Sequence, residues 1–262
     1  MGNKPTILIV GASRGLGLAL AEQFCSRDWH VIATVRGKSP ALDALKARFP
    51  ASLEEETADI ADEGSVRALR QRLDGRTIDM LFVNAGISKS LTATPGTAPV
   101  QDFLDMMLVN AFSPVRLIEI FEDIVAPNGT IAAMSSELGS ITDNQGVRDL
   151  YSSSKAALNM LMKCYAAHRP DDRRAKLVVA PGFIQTEMGG LRRHIHGRRV
   201  HPSGRRHAGE ESREGRPALC RPVRQDATLV TGIRPALRQL LHEVTSSAQA
   251  FEGPRQSGRP VW

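Results

Sequence analysis

The 262-residue chain has only three cysteines, Cys25, Cys164 and Cys220, widely spaced and forming no CxxC pair. An odd, scattered set supports neither a disulfide framework nor a thiolate metal site, and it fits a reducing compartment. No apolar run approaches the roughly 18 to 20 residues that span a bilayer. The N-terminus lacks a charged stretch leading into an apolar run and a small-residue cleavage site, so a cytoplasmic protein with no membrane partner is expected. Lysine is missing after Lys176, although arginine is frequent there.

What is present is an ordinary globular composition, with 42% hydrophobic residues to supply a buried core. The net charge of +6 is concentrated: between Arg192 and Arg224 stand ten arginines against three glutamates, which leaves the rest of the chain near neutrality. The main body therefore carries no basic signature of a nucleic-acid binder. His194-Ile195-His196, His201 and His207 lie in this arginine-rich stretch with no carboxylate at ligand spacing, so no metal is expected. The paired arginines there could touch phosphates, but no aromatic residue accompanies them to stack bases, and a solvated or disordered segment is the plainer reading.

Apolar strand-like runs alternate with amphipathic helical patterns from the start, predicting strands at 6–10, 30–35, 53–57, 80–83, 130–134 and 177–180. Helices are predicted through about Arg27 after the first strand, then over 40–49, 63–73, 100–121 and 151–167. Strict βα alternation implies an α/β fold: a Rossmann-type, doubly wound parallel sheet with helices on both faces, in a single domain. Residues 1–190 read as the core, 191–225 as an irregular Arg/His/Gly-rich insert, and 226–262 as a final helix and terminal segment that complete the domain. Leu237, Leu240, Leu241 and Val244 carry that helix's apolar period.

Where the first strand meets the first helix stands Gly11-Ala12-Ser13-Arg14-Gly15-Leu16-Gly17. Glycines let the backbone turn tightly and approach a pyrophosphate, and the helix N-terminus offers unpaired N–H groups; such turns can also be purely structural. At the end of the second strand an acidic residue would accept a ribose 2′-hydroxyl, whereas arginine suits a 2′-phosphate. That place is held by Arg36, with Arg14 inside the glycine loop, although both could be solvated surface arginines. Tyr151 and Lys155 lie one turn apart on a helix, where an ammonium beside a phenol stabilises phenolate. Such a pair also arises by chance on ordinary helices. Its place after a strand ending in Ser135-Ser136, at the carboxyl edge where parallel sheets bind ligands, raises its significance.

Taken in order, Gly11-xxx-Gly15-x-Gly17, Asn84-Ala85-Gly86, Ser136 ahead of Tyr151-xxx-Lys155, and Pro181-Gly182-xxx-Thr186 resemble the short-chain dehydrogenase/reductase family over about residues 5–190. Within it the chain is similar to the short members related to bacterial C-factor and to sniffer-type carbonyl reductases, through VGASRGLGLAL, MLVNAF, SSELGSI, YSSSKAALNM and PGFIQTEMGG. The resemblance implies an NADP(H)-dependent oxidoreductase, with NAD(H) as a second choice, acting on a small carbonyl or alcohol as a homodimer or homotetramer. It implies Tyr151 as general acid/base, Lys155 lowering its pKa and binding the nicotinamide ribose, and Ser136, rather than Ser135, holding the substrate oxygen. Asn110 would support a water-linked proton relay, or else be a helix residue satisfied by backbone groups. Gly11, Ser13, Arg14, Gly15, Leu16, Gly17, Arg36, Asp59, Ile60, Asn84, Ala85, Gly86, Pro181, Gly182, Ile184 and Thr186 would bind cofactor; Asp59 and Ile60 would meet adenine, and Thr186 the carboxamide. The C-factor likeness also allows a non-catalytic regulator that keeps the nucleotide site. Joining Gly190 to Asp226 restores the family's run into its last helix, and Gly258 to Trp262 resembles a subgroup ending, so 191–225 reads as an insertion of about 35 residues that puts the substrate lid in doubt.

Overall fold

The computed structural model describes residues 4–181. Within them six strands form one parallel sheet: β1 (Thr6–Val10), β2 (His30–Val35), β3 (Leu53–Thr57), β4 (Ile78–Val83), β5 (Val125–Met134) and β6 (Ala175–Val179). Their order across the sheet is β3-β2-β1-β4-β5-β6. The chain winds outward from β1 to one edge, then crosses back to β4 and winds to the other. The reversal between β1 and β4 opens a crevice at the carboxyl ends of the strands. Gly182, Ile184 and Thr186, the 191–225 insert and the terminal helix lie outside the described residues.

Burial on both faces explains why the strands are almost wholly apolar. Leu8, Val10, Leu81, Val83, Ile131 and Ala133 point to one core, covered by α3 (Glu63–Arg72), α5 (Ser113–Phe121) and α6 (Asp149–Ala167). Their neighbours Ile7, Ile9, Met80, Phe82, Ala132 and Met134 point to the other, covered by α1 (Gly15–Cys25) and α2 (Pro40–Arg48). Local signals set the helix starts: Ser39 accepts from the Leu42 N–H with Pro40 in the first turn, and Asp62 accepts from Gly64 at 2.9 Å.

The 100–121 helical pattern is three pieces in sequence: α4 (Val100–Met107), one π turn (Leu108–Phe112) and α5. Pro114 has no N–H for the Asn110 carbonyl four residues before it, so the α ladder is interrupted there and the wider turn is accommodated. The starts of β4 and β5 also lie upstream of the predicted ones. Ile78 pairs with Val125 and Met80 with Thr130, so three extra residues bulge from β5. Gly129 permits this, since a Cβ there would stand 2.8 Å from the Asp79 carbonyl oxygen.

Candidate active site

The fold gathers one group of candidate residues at the end of each strand. Gly11–Gly17 follow β1, Arg36 follows β2, Asp59 and Ile60 follow β3, Asn84–Gly86 follow β4, Ser135 and Ser136 follow β5, and Pro181 follows β6.

The glycine loop is shaped by close contacts. A Cβ on Gly17 would sit 2.1 Å from the Gly11 oxygen, and Gly11 (φ 90°) packs against Ala85. Thr34 on β2 holds the loop from beneath, its hydroxyl accepting from the Gly11 N–H at 3.0 Å and its carbonyl from Ala12 at 2.8 Å. Ser39 donates to the Ser13 carbonyl, and the Asn84 amide donates to the Gly11 carbonyl at 2.7 Å. At the start of α1, Arg14 is extended (φ −165°), makes no side-chain cap and is followed by no acidic residue in the first turn. The positive end of the helix is therefore not countered by a first-turn carboxylate. Arg14 and Arg36 are both exposed. Asp59 turns back on its own backbone, its carboxylate accepting from the Ala61 N–H, while Ile60 is buried and its carbonyl accepts from Arg116.

Beside this loop lie the polar residues of α6 and the β5 end. The two consecutive serines part ways: Ser135 donates to the Asn159 side chain at 2.7 Å, whereas Ser136 acts on the Tyr151 phenol, lowering it. Ser136 also accepts from Leu138 N–H, capping the short turn Glu137–Gly139. Gly139 presses on Lys155, where a Cβ would meet the lysine backbone at 3.0 Å, and Asn159 donates to the Gly139 carbonyl. Asn159 thus holds both ends of the serine loop, a role that no sequence signal announced.

Lys155 is buried, donates to the Met134 carbonyl at 2.8 Å, and stands 5.7 Å from the Tyr151 ring centre. Burial pushes its ammonium down to about 8. Burial likewise raises the Tyr151 phenol above its ordinary value, against the Ser136 hydrogen bond and the positive charge of Arg148, which lower it. The lowering of this phenol was expected from Lys155. In this geometry the ammonium is turned to the Met134 carbonyl, and Ser136 and Arg148 act instead. Asn110 is fully buried in the π turn: its amide accepts from Ile87 N–H at 2.7 Å, donates to Ile87 C=O at 2.8 Å, and donates to Ser154 at 3.0 Å. Ser154 in turn donates to the Tyr151 carbonyl, so Asn110 ties the β4 loop to α6. Gly86 lies against both Asn110 and Lys155, as a Cβ there would be 3.3 Å and 3.6 Å from their polar atoms.

Among the described residues no group of three His, Cys, Asp or Glu is placed to hold a metal ion, and no helix is long and apolar enough to cross a membrane.

The family model described as short chain dehydrogenase matches residues 5–195. A short-chain dehydrogenase/reductase from Burkholderia multivorans, solved with bound NADP, is 47% identical, with a TM-score of 0.70 over 72% of this chain and 83% of that one. A carbonyl reductase from Pseudomonas aeruginosa PAO1 in complex with NADP is 34% identical, with a TM-score of 0.67 over 71% of this chain and 83% of that one. Norsolorinic acid ketoreductase from Dothistroma septosporum is 28% identical over 76% of this chain and 80% of its own length.

Proposed function

Since the chain belongs to the short-chain dehydrogenase family of oxidoreductases, we propose that it is an NADP(H)-dependent enzyme that interconverts a small carbonyl compound and its alcohol. The observation that carries this is the buried Lys155 ammonium 5.7 Å from the Tyr151 ring centre, one helical turn on, with Ser136 at the end of β5 acting to lower the Tyr151 phenol. The NADP held by the Burkholderia and Pseudomonas structures supports the choice of cofactor, with NAD(H) the weaker alternative. The donors present fit such a molecule. The tight Gly11–Gly17 turn and the α1 N-terminus, with no acid in its first turn, suit a pyrophosphate. Arg14 and Arg36 would meet a 2′-phosphate, Asp59 and Ile60 the adenine, Asn84–Gly86 and Lys155 the nicotinamide ribose, and Pro181, Gly182, Ile184 and Thr186 the carboxamide side.

When bound, the nicotinamide supplies or accepts the hydride. Tyr151 gives its phenolic proton to the substrate oxygen in reduction and takes it back in oxidation, and Ser136 hydrogen-bonds that oxygen as negative charge gathers there. A buried, unionised phenol is the correct starting form for proton donation, and Ser136 and the positive charge of Arg148, which lower this phenol, favour the phenolate left behind. Asn110 ties the β4 loop to α6, which fixes the Tyr151 backbone relative to that loop. An exposed apolar stripe on α4 and the π turn, Val100, Phe103, Leu104, Leu108 and Phe112, supports assembly as a homodimer or homotetramer.

The test is NADPH-dependent turnover of a panel of aldehydes and ketones by wild type and Tyr151→Phe. Turnover by the wild type that falls at least 100-fold in the variant, with NADPH binding retained, is expected. A wild type that binds NADPH yet turns over no member of the panel would count against an enzyme.

A further inference from the structure

Between the Ser136 turn and α6 runs a loop in which residues 141–147 are exposed with one exception, the half-buried Asn144. Asn144 uses both ends of its side-chain amide. The nitrogen donates to the Leu138 carbonyl at 2.7 Å, and the oxygen accepts from the N–H groups of Gly146 and Val147 at 2.8 Å and 3.1 Å. The backbone they shape is unusual: Gly146 (φ 74°) and Arg148 (φ 54°) are both left-handed, which a residue other than glycine adopts only where its surroundings impose it. From here the loop is tied to the helix, since the Val147 carbonyl accepts from the hydroxyl of Ser152, the buried neighbour of Tyr151, at 2.6 Å. Hydrogen bonds from the side chains of Asn144 and Ser152 thus join the turn that carries Ser136 to the residue beside Tyr151.

The same turn is clamped from inside by Asn159, which accepts from Ser135 and donates to the Gly139 carbonyl. Asn159, however, stands two turns beyond Tyr151 on α6, roughly 12 Å along the helix axis. Held there alone, the Ser136 turn is free to pivot relative to the phenol. The Asn144 link closes the frame at Tyr151's own end of the helix. Resting on the reductase reading above, we propose that Asn144 is a positioning residue for that reaction: its amide holds the Ser136 turn against the first turn of α6 and so fixes the separation of the two groups that meet the substrate oxygen. Such groups must be held within roughly 0.5 Å of the productive geometry, and a misplacement of about 1 Å costs a rate roughly 100-fold. Asn144 acts through Ser136 and Tyr151 and adds no chemical step.

The experiment uses the full chain and three variants. Asn144→Ala removes both ends of the amide. Asn144→Asp keeps the acceptor for Gly146 and Val147 and drops the donor to Leu138. Gln145→Ala, the control, removes only a bond to the Asp143 carbonyl inside the loop. Two quantities are read: kcat and KM for the aldehyde panel at saturating NADPH, and amide hydrogen exchange at Gly146 and Val147 in the loop and at Gly139 and Ser140 in the serine turn. Both Asn144 variants are expected to lower kcat by roughly tenfold or more with aldehyde KM and NADPH affinity little changed, the mark of an interaction realised in the transition state. Exchange should quicken in the serine turn in both variants, and in the loop as well in Asn144→Ala. Wild-type kcat in a folded Asn144 variant overturns the proposal, as does an equal loss in Gln145→Ala. Unchanged exchange at Gly139 and Ser140 in Asn144→Asp overturns it whether or not any aldehyde turns over, and does not depend on Asn144→Ala folding. Quickened exchange in the serine turn, with no aldehyde reduced by wild type, upholds the link between turn and helix and sinks the reductase reading instead.

Discussion

Asn110 grips Ile87 by both of its backbone groups, its amide oxygen 2.7 Å from the Ile87 nitrogen and its amide nitrogen 2.8 Å from the Ile87 carbonyl. The side chain thus acts as a fragment of backbone supplied from a helix, giving the loop after β4 the pairing a strand neighbour would otherwise provide. Its remaining donor reaches Ser154 and, through it, the first turn of α6. Replacing Asn110 by leucine leaves the part-buried Ile87 N–H and C=O without this partner, at a cost of up to about 1–3 kcal/mol each. We expect Asn110→Leu to lose roughly 2–4 kcal/mol in urea unfolding and to lose turnover with it. A loss below about 1 kcal/mol would show that the loop finds other partners.

The glycine loop makes a steric prediction with an internal control. Gly17→Ala puts a carbon 2.1 Å from the Gly11 oxygen, so the loop backbone must move. Overpacking of this kind costs about 1–3 kcal/mol, and NADPH affinity should fall at least tenfold by fluorescence titration. Gly96→Ala, whose new carbon meets nothing nearer than 3.9 Å, should change neither quantity.

Cofactor choice hangs on the end of β2. Arg36→Asp replaces a phosphate-binding cation by a carboxylate that accepts a ribose hydroxyl and repels a 2′-phosphate. NADPH affinity should drop about tenfold or more, equivalent to at least 1.4 kcal/mol, while NADH binding holds or improves. If wild type binds NADH as tightly as NADPH, the assignment of Arg36 is wrong.

Lys155 gives a pH signature. Its native pKa of about 8 lies below the ordinary 10.5, so between these values the unfolded chain binds more protons than the folded one, and stability rises with pH. Below about pH 8 both states are protonated and the full burial penalty is present. Relative to Lys155→Met, wild type should therefore gain about 2–3 kcal/mol between pH 7.5 and 10.5, measured without cofactor. Parallel stability curves for the two proteins would show that the ammonium is not desolvated as described.

Legibility in the sequence followed the range of the interactions. β1, β2 and β3 begin and end where the sequence placed them, since each is an unbroken apolar or β-prone run between turn residues. The start of β4 was hidden by Asp79, a charged residue that stands exposed inside the strand and whose carboxylate accepts from the Thr6 N–H. The start of β5 was hidden by Pro127-Asn128-Gly129, which has the composition of a turn but bulges without leaving the strand. At the site, spacing sufficed for the glycine loop and for Tyr151 with Lys155. It could not separate the environments of Ser135 and Ser136, because neighbouring residues at a strand end differ only in the direction they face.

By itself, then, the sequence determined the βα alternation, the glycine turn and the Tyr151–Lys155 pair, all of which rest on residues within one or two turns of each other. The tertiary structure alone decided the β3-β2-β1-β4-β5-β6 order, the attachment of Asn110 to Ile87, and the clamp of Asn159 on the serine loop. Local propensity acts through backbone sterics and the period of burial, and both are written in adjacent residues. A hydrogen bond between side chains or loops 20 or more residues apart exists only after the sheet has set which strand ends lie side by side.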